Sequence, residues 1–128
     1  MNYILDTGAI TRHFSGHGRL GSKAARIIQQ GEGGKHKLFV SVVSIFEILY
    51  LSEAGRIRVS LSDIIDALNR NACYSIVDVS LNVVLASESI SFYEIHDRLI
   101  LGTARYINAP IVSSDERFDE VSGIKRIW

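Results

Sequence analysis

The chain has 128 residues and a formal net charge of zero, with 47% hydrophobic residues, 22% charged residues and a single proline. This composition is typical of a globular protein, and it excludes a disordered, fibrous or low-complexity chain. A chain of this length can bury one core, so we expect a single domain spanning residues 1–128.

The sequence predicts neither a membrane-spanning segment nor export to an oxidising compartment. Its longest apolar stretches, Leu38 to Val43 and Ile45 to Leu51, are too short to cross a bilayer. The first residues lack the basic segment and the long apolar core of a secretory signal. The single cysteine, Cys73, cannot form an intrachain disulfide. We therefore expect a cytoplasmic protein without membrane contact.

Strand-like apolar runs alternate with helical patterns along the chain, which predicts an α/β fold with a parallel sheet of four to five strands covered by helices on both faces. In chain order the predicted elements are the strand Tyr3–Leu5, the helix Ser22–Gln30, the strand Leu38–Ser41, the helix Val42–Ala54, a helix from Ser60 or Ser62 to Ala72, the strand Tyr74–Val77, the helix Ser80–Glu88, the helix Asp97–Asn108, the strand Pro110–Ser113, the short helix Asp115–Val121 and the edge strand Ile124–Ile127.

The predicted helix Val42–Ala54 is apolar almost all round, which indicates burial on more than one side. One face of a sheet cannot cover that much apolar surface. We therefore predict a homodimer that uses the far side of this helix together with the neighbouring helix Leu61–Ala72.

Two acidic residues follow predicted strands. Asp6 ends the strand Tyr3–Leu5, and Asp115 follows the strand Pro110–Ser113. In open parallel sheets ligands bind beyond the carboxyl ends of the strands, so both side chains are expected at that edge. Each residue taken alone is also typical of a helix N-cap, and the two interpretations are compatible.

Two further acidic residues, Glu47 and Asp97, lie on apolar faces of predicted helices. Their neighbours one turn away are Val43, Tyr50 and Leu51 for Glu47, and Ile100, Leu101 and Ala104 for Asp97. A carboxylate on such a face must be paired, protonated or bound to a metal. Candidate ion-pair partners are Arg56 and Arg58 for Glu47, and Arg98 and Arg105 for Asp97.

If these carboxylates converge, their mutual repulsion favours a hard cation with oxygen ligands, Mg²⁺ or Mn²⁺. Zinc is disfavoured because the chain has one cysteine and its only histidines at a zinc-like spacing are His13 and His17. The segment around that pair is rich in glycine and poorly helical, which argues against a metal role for it.

The acidic residues fall into a recognisable series of motifs. These are Ile4-Leu5-Asp6-Thr7, Ser44-Ile45-Phe46-Glu47, His96-Asp97-Arg98-Leu99-Ile100 and Ser113-Ser114-Asp115-Glu116-Arg117-Phe118. In order and spacing the series resembles the PIN-domain family, specifically its VapC-like toxin ribonucleases. The resemblance implies a three-layer α/β/α sandwich, Mg²⁺- or Mn²⁺-dependent endoribonuclease activity, homodimerisation, and inhibition by a cognate antitoxin.

The resemblance also implies roles for individual residues. Asp6, Glu47, Asp97 and Asp115 match the family's catalytic, metal-binding acids, while Thr7 and Ser113 match hydroxyl positions that support them and Asp119 is a further candidate acid. The chain departs from the usual pattern in two places. Gly8 stands where relatives often carry a polar residue, and Ser113 where threonine is common. Neither departure removes a metal ligand.

An RNA-binding face is expected near the first strand. Residues 1–40 hold six Lys and Arg against two acidic residues, although the whole chain is neutral. Arg12, Arg19 and Lys23 are the candidate phosphate contacts, and Phe14 is the candidate for stacking on a base. Reversing the charge of Arg12 and Arg19 is expected to weaken RNA binding and to flatten its salt dependence.

Two other classes of function remain open at this point. One is a catalytically silent PIN-like module for RNA binding or dimerisation. The other is a Mg²⁺-dependent phosphatase or phospho-acceptor domain, which is disfavoured because the haloacid-dehalogenase type needs a second aspartate at the position of Gly8. Metal-dependent cleavage of a mixed RNA pool distinguishes a nuclease from both.

Overall fold

Residues 1–128 are described by a computed structural model in which strands and helices alternate. The strands are β1 (Asn2–Leu5), β2 (Lys37–Ser41), β3 (Tyr74–Val77), β4 (Ile111–Val112) and β5 (Arg126–Ile127). The helices are α1 (Thr7–Ser15), α2 (Ser22–Glu32), α3 (Val42–Glu53), α4 (Leu61–Asn69), α5 (Leu81–Ser87) and α6 (Ile95–Ile107), with a 3₁₀ helix at Glu116–Glu120.

The five strands form one sheet in the order β3-β2-β1-β4-β5, and every pair is parallel. The central strand β1 pairs with β2 from Asn2↔Lys37 and with β4 from Ile4↔Ile111. The chain first runs outward from β1 to β3 and then returns to place β4 on the other side of β1. The carboxyl ends of β1 and β4 therefore flank the switch point, where open α/β sheets bind ligands.

Two apolar clusters cover the two faces of the sheet, because successive side chains of a strand point to opposite faces. Leu5 of β1 joins α1, α2 and α4 in one cluster. Ile4, the preceding residue, joins α6 and the 3₁₀ helix in the other. Helix α3 contributes to both, through Ile48 and Val43 respectively. The predicted three-layer α/β/α sandwich with a parallel sheet is confirmed.

Helix α1 is the one element that the sequence patterns did not predict. Its first turn contains Gly8 and its sequence shows no extended apolar stripe, so helical periodicity is weak there. Both ends are nevertheless well defined. Asp6 caps the N-terminus through its side chain, and Gly16, with φ of 70°, ends the helix in the left-handed region. Only Ala9 and Ile10 of this helix are fully buried.

Helix α3 is less buried than its composition predicted. Val43, Ser44 and Ile48 are buried, but Phe46 and Tyr50 are 57% and 70% exposed. Helix α3 packs into both apolar clusters through Ile48 and Val43, but this chain leaves the side with Phe46 and Tyr50 uncovered. The predicted contact of that side with a second copy stays a prediction. An apolar residue that awaits a partner chain and one that fills a core look alike in sequence.

The exposed apolar surface also continues in a direction that we did not predict. Helix α4 buries Ile64 and Leu68 and leaves no large hydrophobic side chain exposed. Exposed apolar residues lie instead on α5 and at the start of α6, including Leu81, Leu85 and Ile95. Besides the outer side of α3, exposed apolar surface is therefore found on α5 and at the start of α6 and not on α4.

None of the helices combines the length and the apolar character that crossing a bilayer requires.

Helices α5 and α6 pack closely because Gly102 has no side chain. A Cβ at Gly102 would lie 1.8 Å from Ser87 Oγ, which itself donates to the carbonyl oxygen of Val83. We expect Gly102→Ala to lower the free energy of unfolding by about 1–3 kcal/mol through overpacking, measured by urea denaturation. Gly33→Ala is the matched control, because a Cβ at Gly33 would lie 3.4 Å from its nearest neighbour, the carbonyl oxygen of Gln29. Equal stability of the two variants would contradict this packing argument.

Candidate metal centre

Asp6 lies at the carboxyl end of β1 and is held from two directions. Its Oδ1 accepts a hydrogen bond from the backbone N–H of Ala9 at 2.8 Å, and its Oδ2 accepts one from Ser113 Oγ. Ser113 Oγ also accepts the backbone N–H of Asp115 at 3.0 Å. Burial raises the pKa of Asp6, although both hydrogen bonds and the charge of Arg12 oppose the increase. Ser113 thus ties the ends of β1 and β4 together.

Glu47 reaches the same region from α3 and is held by a hydroxyl of α1. Thr7 Oγ1 donates to Glu47 Oε1 at 2.6 Å and lies 3.0 Å from Ser44 Oγ. Neither Arg56 nor Arg58 forms an ion pair with Glu47. The position of Thr7 next to Glu47 depends on the packing of α1 against α3, so it was not evident from the local sequence.

Asp97, near the start of α6, is a half-buried carboxylic acid whose pKa is shifted upward. Its pKa is raised to about 7, first by burial and then by the negative charges of Glu94, Glu47, Asp115 and Asp6. These contributions place the other three candidate acids within electrostatic reach of Asp97. Glu94, which caps α6 by accepting the backbone N–H of Asp97 at 2.6 Å, is an additional acid that we did not predict.

The two arginines expected to pair with Asp97 have other partners. Arg98 Nε donates to the carbonyl oxygen of Ser87 at 3.2 Å, and Arg105 donates to the carbonyl oxygen of Ser122 at 2.6 Å. Both guanidinium groups therefore join loops to α6. Asp97 is left without a cationic partner, which accords with its raised pKa.

Asp115 forms an ion pair that the motif did not predict. Arg117 Nε and Nη2 donate to its two carboxylate oxygens at 2.9 and 2.7 Å. The same guanidinium lies over the rings of Tyr93, 5.0 Å from the ring centroid, and Phe92, at 5.9 Å. Tyr93 is 73% exposed, so an aromatic surface borders the acidic residues. The sequence signal was the Phe-Tyr pair just before α6.

The four carboxylates fit a divalent cation by their chemistry but do not form a closed ligand set. All four candidate ligands offer carboxylate oxygens, and the charges of Glu47, Asp115 and Asp6 act unfavourably on the ionised form of Asp97. A bound Mg²⁺ or Mn²⁺ relieves such repulsion. No group of three or more acidic, histidine or cysteine side chains is close enough to hold a metal as they stand. Glu47 is held by Thr7 and Asp115 by Arg117, so closing the site requires these side chains to turn.

Asp119, considered as a further acid, lies outside this group. It is exposed, and its two oxygens accept hydrogen bonds from Arg126 Nε and Nη2 at 2.9 and 3.0 Å. Its negative charge does not contribute to the raised pKa of Asp97. Arg126 Nη1 in turn donates to the carbonyl oxygen of Ser113 at 3.1 Å. Asp119 therefore acts on the site only by positioning Arg126.

The three cations proposed for RNA contact occupy different surroundings. Arg12 is half-buried with its guanidinium carbon 5.1 Å from the ring centroid of Trp128, and it lies close enough to Asp6 to oppose the rise in that residue's pKa. Lys23 lines a surface pocket that also includes Arg26. Arg19 is exposed in the loop between α1 and α2 and does not line that pocket.

The remaining sequence candidates have structural partners. His13 lies 3.1 Å from Glu32 and His17 is exposed, so the two histidines do not share a site. Phe14, proposed for base stacking, is half-buried against Tyr74 with ring centroids 5.6 Å apart. Phe14 is therefore only partly available to a base, and Tyr93 is an exposed aromatic residue that the sequence did not single out.

An all-parallel sheet with acidic side chains at its switch point defines a three-layer α/β/α protein with a carboxylate cleft. The sequence matches the PIN domain family over residues 3–124, and the chain therefore belongs to that family. No curated protein matches the sequence.

Solved structures share the whole fold at low sequence identity. One is VapBC2 from Rickettsia felis, bound to a promoter DNA fragment, with a TM-score of 0.74, 14% identity, and coverage of 99% of this chain and 98% of that chain. For DNA-bound VapBC from Salmonella typhimurium the TM-score is 0.69 and the sequence identity is 13%, with coverage of 99% of this chain and 97% of that chain. For VapC20 from Mycobacterium tuberculosis, described as a sarcin-ricin loop cleaving toxin, the TM-score is 0.64 and the sequence identity is 10%, with coverage of 96% of this chain and 98% of that chain. At these identities the likeness establishes the fold.

Proposed function

We propose that the chain is a single PIN-like nuclease domain that hydrolyses RNA phosphodiester bonds with the help of Mg²⁺ or Mn²⁺, as the toxin of a toxin–antitoxin pair. The supporting observation is the raised pKa of Asp97, because the charges that raise it come from the other acids of the cleft. A cluster of four repelling carboxylates, of which only Asp115 forms an ion pair, favours a divalent cation.

In the proposed reaction, Asp6, Glu47, Asp97 and Asp115 hold the ion, and two hydroxyl groups hold the acids. Ser113 fixes Asp6 beside the end of β4, and Thr7 fixes Glu47 against α1. A bound Mg²⁺ or Mn²⁺ would supply activation of a water and neutralisation of charge on the phosphoryl oxygens. Because water attacks in place of the neighbouring 2′-hydroxyl, the products carry 5′-phosphate and 3′-hydroxyl ends.

Metal removal provides the direct test. The purified protein is expected to cleave a mixed RNA pool in Mg²⁺ or Mn²⁺, to lose that activity in EDTA, and to regain it when the metal is restored. The same assay with single-stranded DNA measures the preference for the sugar. Cleavage that EDTA does not reduce would overturn the metal-dependent mechanism.

A catalytically silent RNA-binding module is the second candidate. It is favoured by one observation, the lack of a preformed group of three metal-binding side chains. RNA binding without cleavage in either metal would support this function and exclude the nuclease.

We also propose a homodimer in which the outer side of α3 packs against a second copy, with Phe46 and Tyr50 at its centre. Tyr50→Arg is expected to yield a monomer at micromolar concentration, because burying an unpaired guanidinium in an apolar interface is costly. Analytical ultracentrifugation measures the result. Tyr106→Arg, on the exposed end of α6, is the matched control and should remain dimeric. A monomeric unmodified protein would contradict this proposal.

The antitoxin partner is proposed on the likeness to toxin–antitoxin complexes. The acidic cleft suits a partner that inserts a basic side chain toward Asp6 and Asp97, and the exposed apolar surface suits one that also covers hydrophobic side chains.

A further inference from the structure

A surface pocket near the acidic cleft is lined by basic side chains and by no acidic side chain. It lies between α2 and β5 and has a volume of about 470 Å³. Its lining includes the cations Lys23, Arg26, Lys125 and Arg126 together with Trp128, and no acidic residue. Lys23 and Arg26 are three residues apart on α2, so they share one face of that helix.

Three of these four cations have no partner. Arg126 is paired with Asp119, but Lys23, Arg26 and Lys125 form no ion pair and no side-chain hydrogen bond. Like charges gathered in one pocket repel one another, and a chain of phosphates relieves that repulsion while releasing its own counterions.

The start of α2, next to this pocket, has neither a capping nor an acidic side chain. Gly21 stands at the N-cap and gives no side-chain hydrogen bond, and the first turn contains no acidic residue. A side chain at this position is excluded, because a Cβ on Gly21 would lie 2.4 Å from the backbone carbonyl carbon of Trp128. The close approach of Trp128 therefore leaves the helix N-terminus without a side-chain cap.

Two series of contacts connect residues of the pocket with Asp6. Trp128 lies under the guanidinium of Arg12, whose charge acts on Asp6. Arg126 donates to the carbonyl oxygen of Ser113, whose hydroxyl donates to Asp6. The pocket is therefore linked to the carboxylate cleft through Arg12 and through Arg126.

We propose that this pocket binds the phosphate backbone of single-stranded RNA on one side of the scissile bond, through Lys23, Arg26 and Lys125. This inference rests on the proposed nuclease function and adds the path of the substrate. It retains Lys23 from the sequence prediction, adds Arg26 and Lys125, and leaves out Arg19, which does not line the pocket.

The test is the double charge reversal Lys23→Glu/Arg26→Glu, with binding of a fluorescein-labelled single-stranded RNA measured by anisotropy in EDTA. Binding is expected to weaken by about tenfold or more at low salt, and the slope of log K against log salt should fall by about 1.4, or about 0.7 for each lost phosphate contact. The conservative exchange Lys23→Arg/Arg26→Lys should retain binding. The double reversal Lys35→Glu/Lys37→Glu, at the start of β2 and outside this pocket, is the charge-matched control.

The outcomes separate this inference from the proposed function. If the unmodified protein cleaves RNA but the double reversal changes neither affinity nor salt slope, the pocket assignment is wrong and the nuclease stands. If the unmodified protein binds RNA without cleaving it and the reversal removes binding, the pocket stands and the nuclease does not. Equal competition by a polyglutamate peptide would overturn the assignment in favour of an acidic protein partner. Circular dichroism checks that each variant is folded.

Discussion

Asp6→Asn is expected to lower the rate of metal-stimulated RNA cleavage by about 100-fold or more while leaving the fold intact. The amide is the same size as the carboxylate, and its oxygen can still accept the N–H of Ala9 at the start of α1. The variant loses the negative charge that would bind the cation, and it changes the hydrogen bond with Ser113. Initial rates across a range of Mg²⁺ concentrations measure the loss.

The control for this exchange is Asp66→Asn, which makes the same chemical change at an exposed position of α4. It should cleave RNA like the unmodified protein. Thermal melting of both variants separates a loss of catalysis from a loss of folding. Full activity of Asp6→Asn would overturn the assignment of this residue to the metal site.

Asp97→Asn is expected to remove cleavage and yet to stabilise the metal-free protein. The pKa of Asp97 is about 7 in the folded state against an ordinary value of 3.8, so the folded state holds the proton more tightly than the unfolded state does. The free energy of unfolding therefore falls as pH rises between about 4 and 7. Above about pH 7 the folded state bears the full destabilisation of an ionised Asp97. Asparagine carries no charge and avoids this cost.

The expected gain at neutral pH in EDTA is about 1–2 kcal/mol, after allowance for solvent screening of a partly exposed group. It corresponds to a rise of about 2–8 °C in Tm. The gain should shrink as the pH falls toward 4 and should vanish well below 4, where Asp97 is protonated in both states. Added Mg²⁺ should raise the Tm of the unmodified protein more than that of the variant. A variant less stable than the unmodified protein at neutral pH would contradict the electrostatic argument.

Much of the fold was predictable because its strands are short apolar runs bounded by turn residues. All five strands were expected close to their observed positions, and only their ends differ. Helix α1 was missed because its core contact consists of Ala9 and Ile10, too few buried residues to produce a helical period. The sequence could not show which apolar residues of α3 stay exposed, because composition does not distinguish a core from an exposed apolar face.

The site was predictable where the chain itself determines the geometry. The ends of β1 and β4 place Asp6 and Asp115 at one edge, and the buried neighbours of Asp97 on α6 match the expected face. Partners were harder to predict, because they depend on packing between elements distant in sequence. Thr7 reaches Glu47 across α1 and α3, and Arg98 bonds a backbone carbonyl near α5 where an ion pair with Asp97 was expected.

The hydrogen bond from Ser113 to Asp6 has a consequence for biosynthesis. These residues are 107 positions apart, and β1 gains its second neighbour only when β4 docks beside it. A ribosome-bound chain that has exposed only its first three strands therefore holds Asp6 without Ser113, Asp115 or the Asp97 helix beside it. The cleft assembles only after β4 has emerged, so under the proposed function a shorter nascent chain would have no competent centre with which to cleave the surrounding RNA.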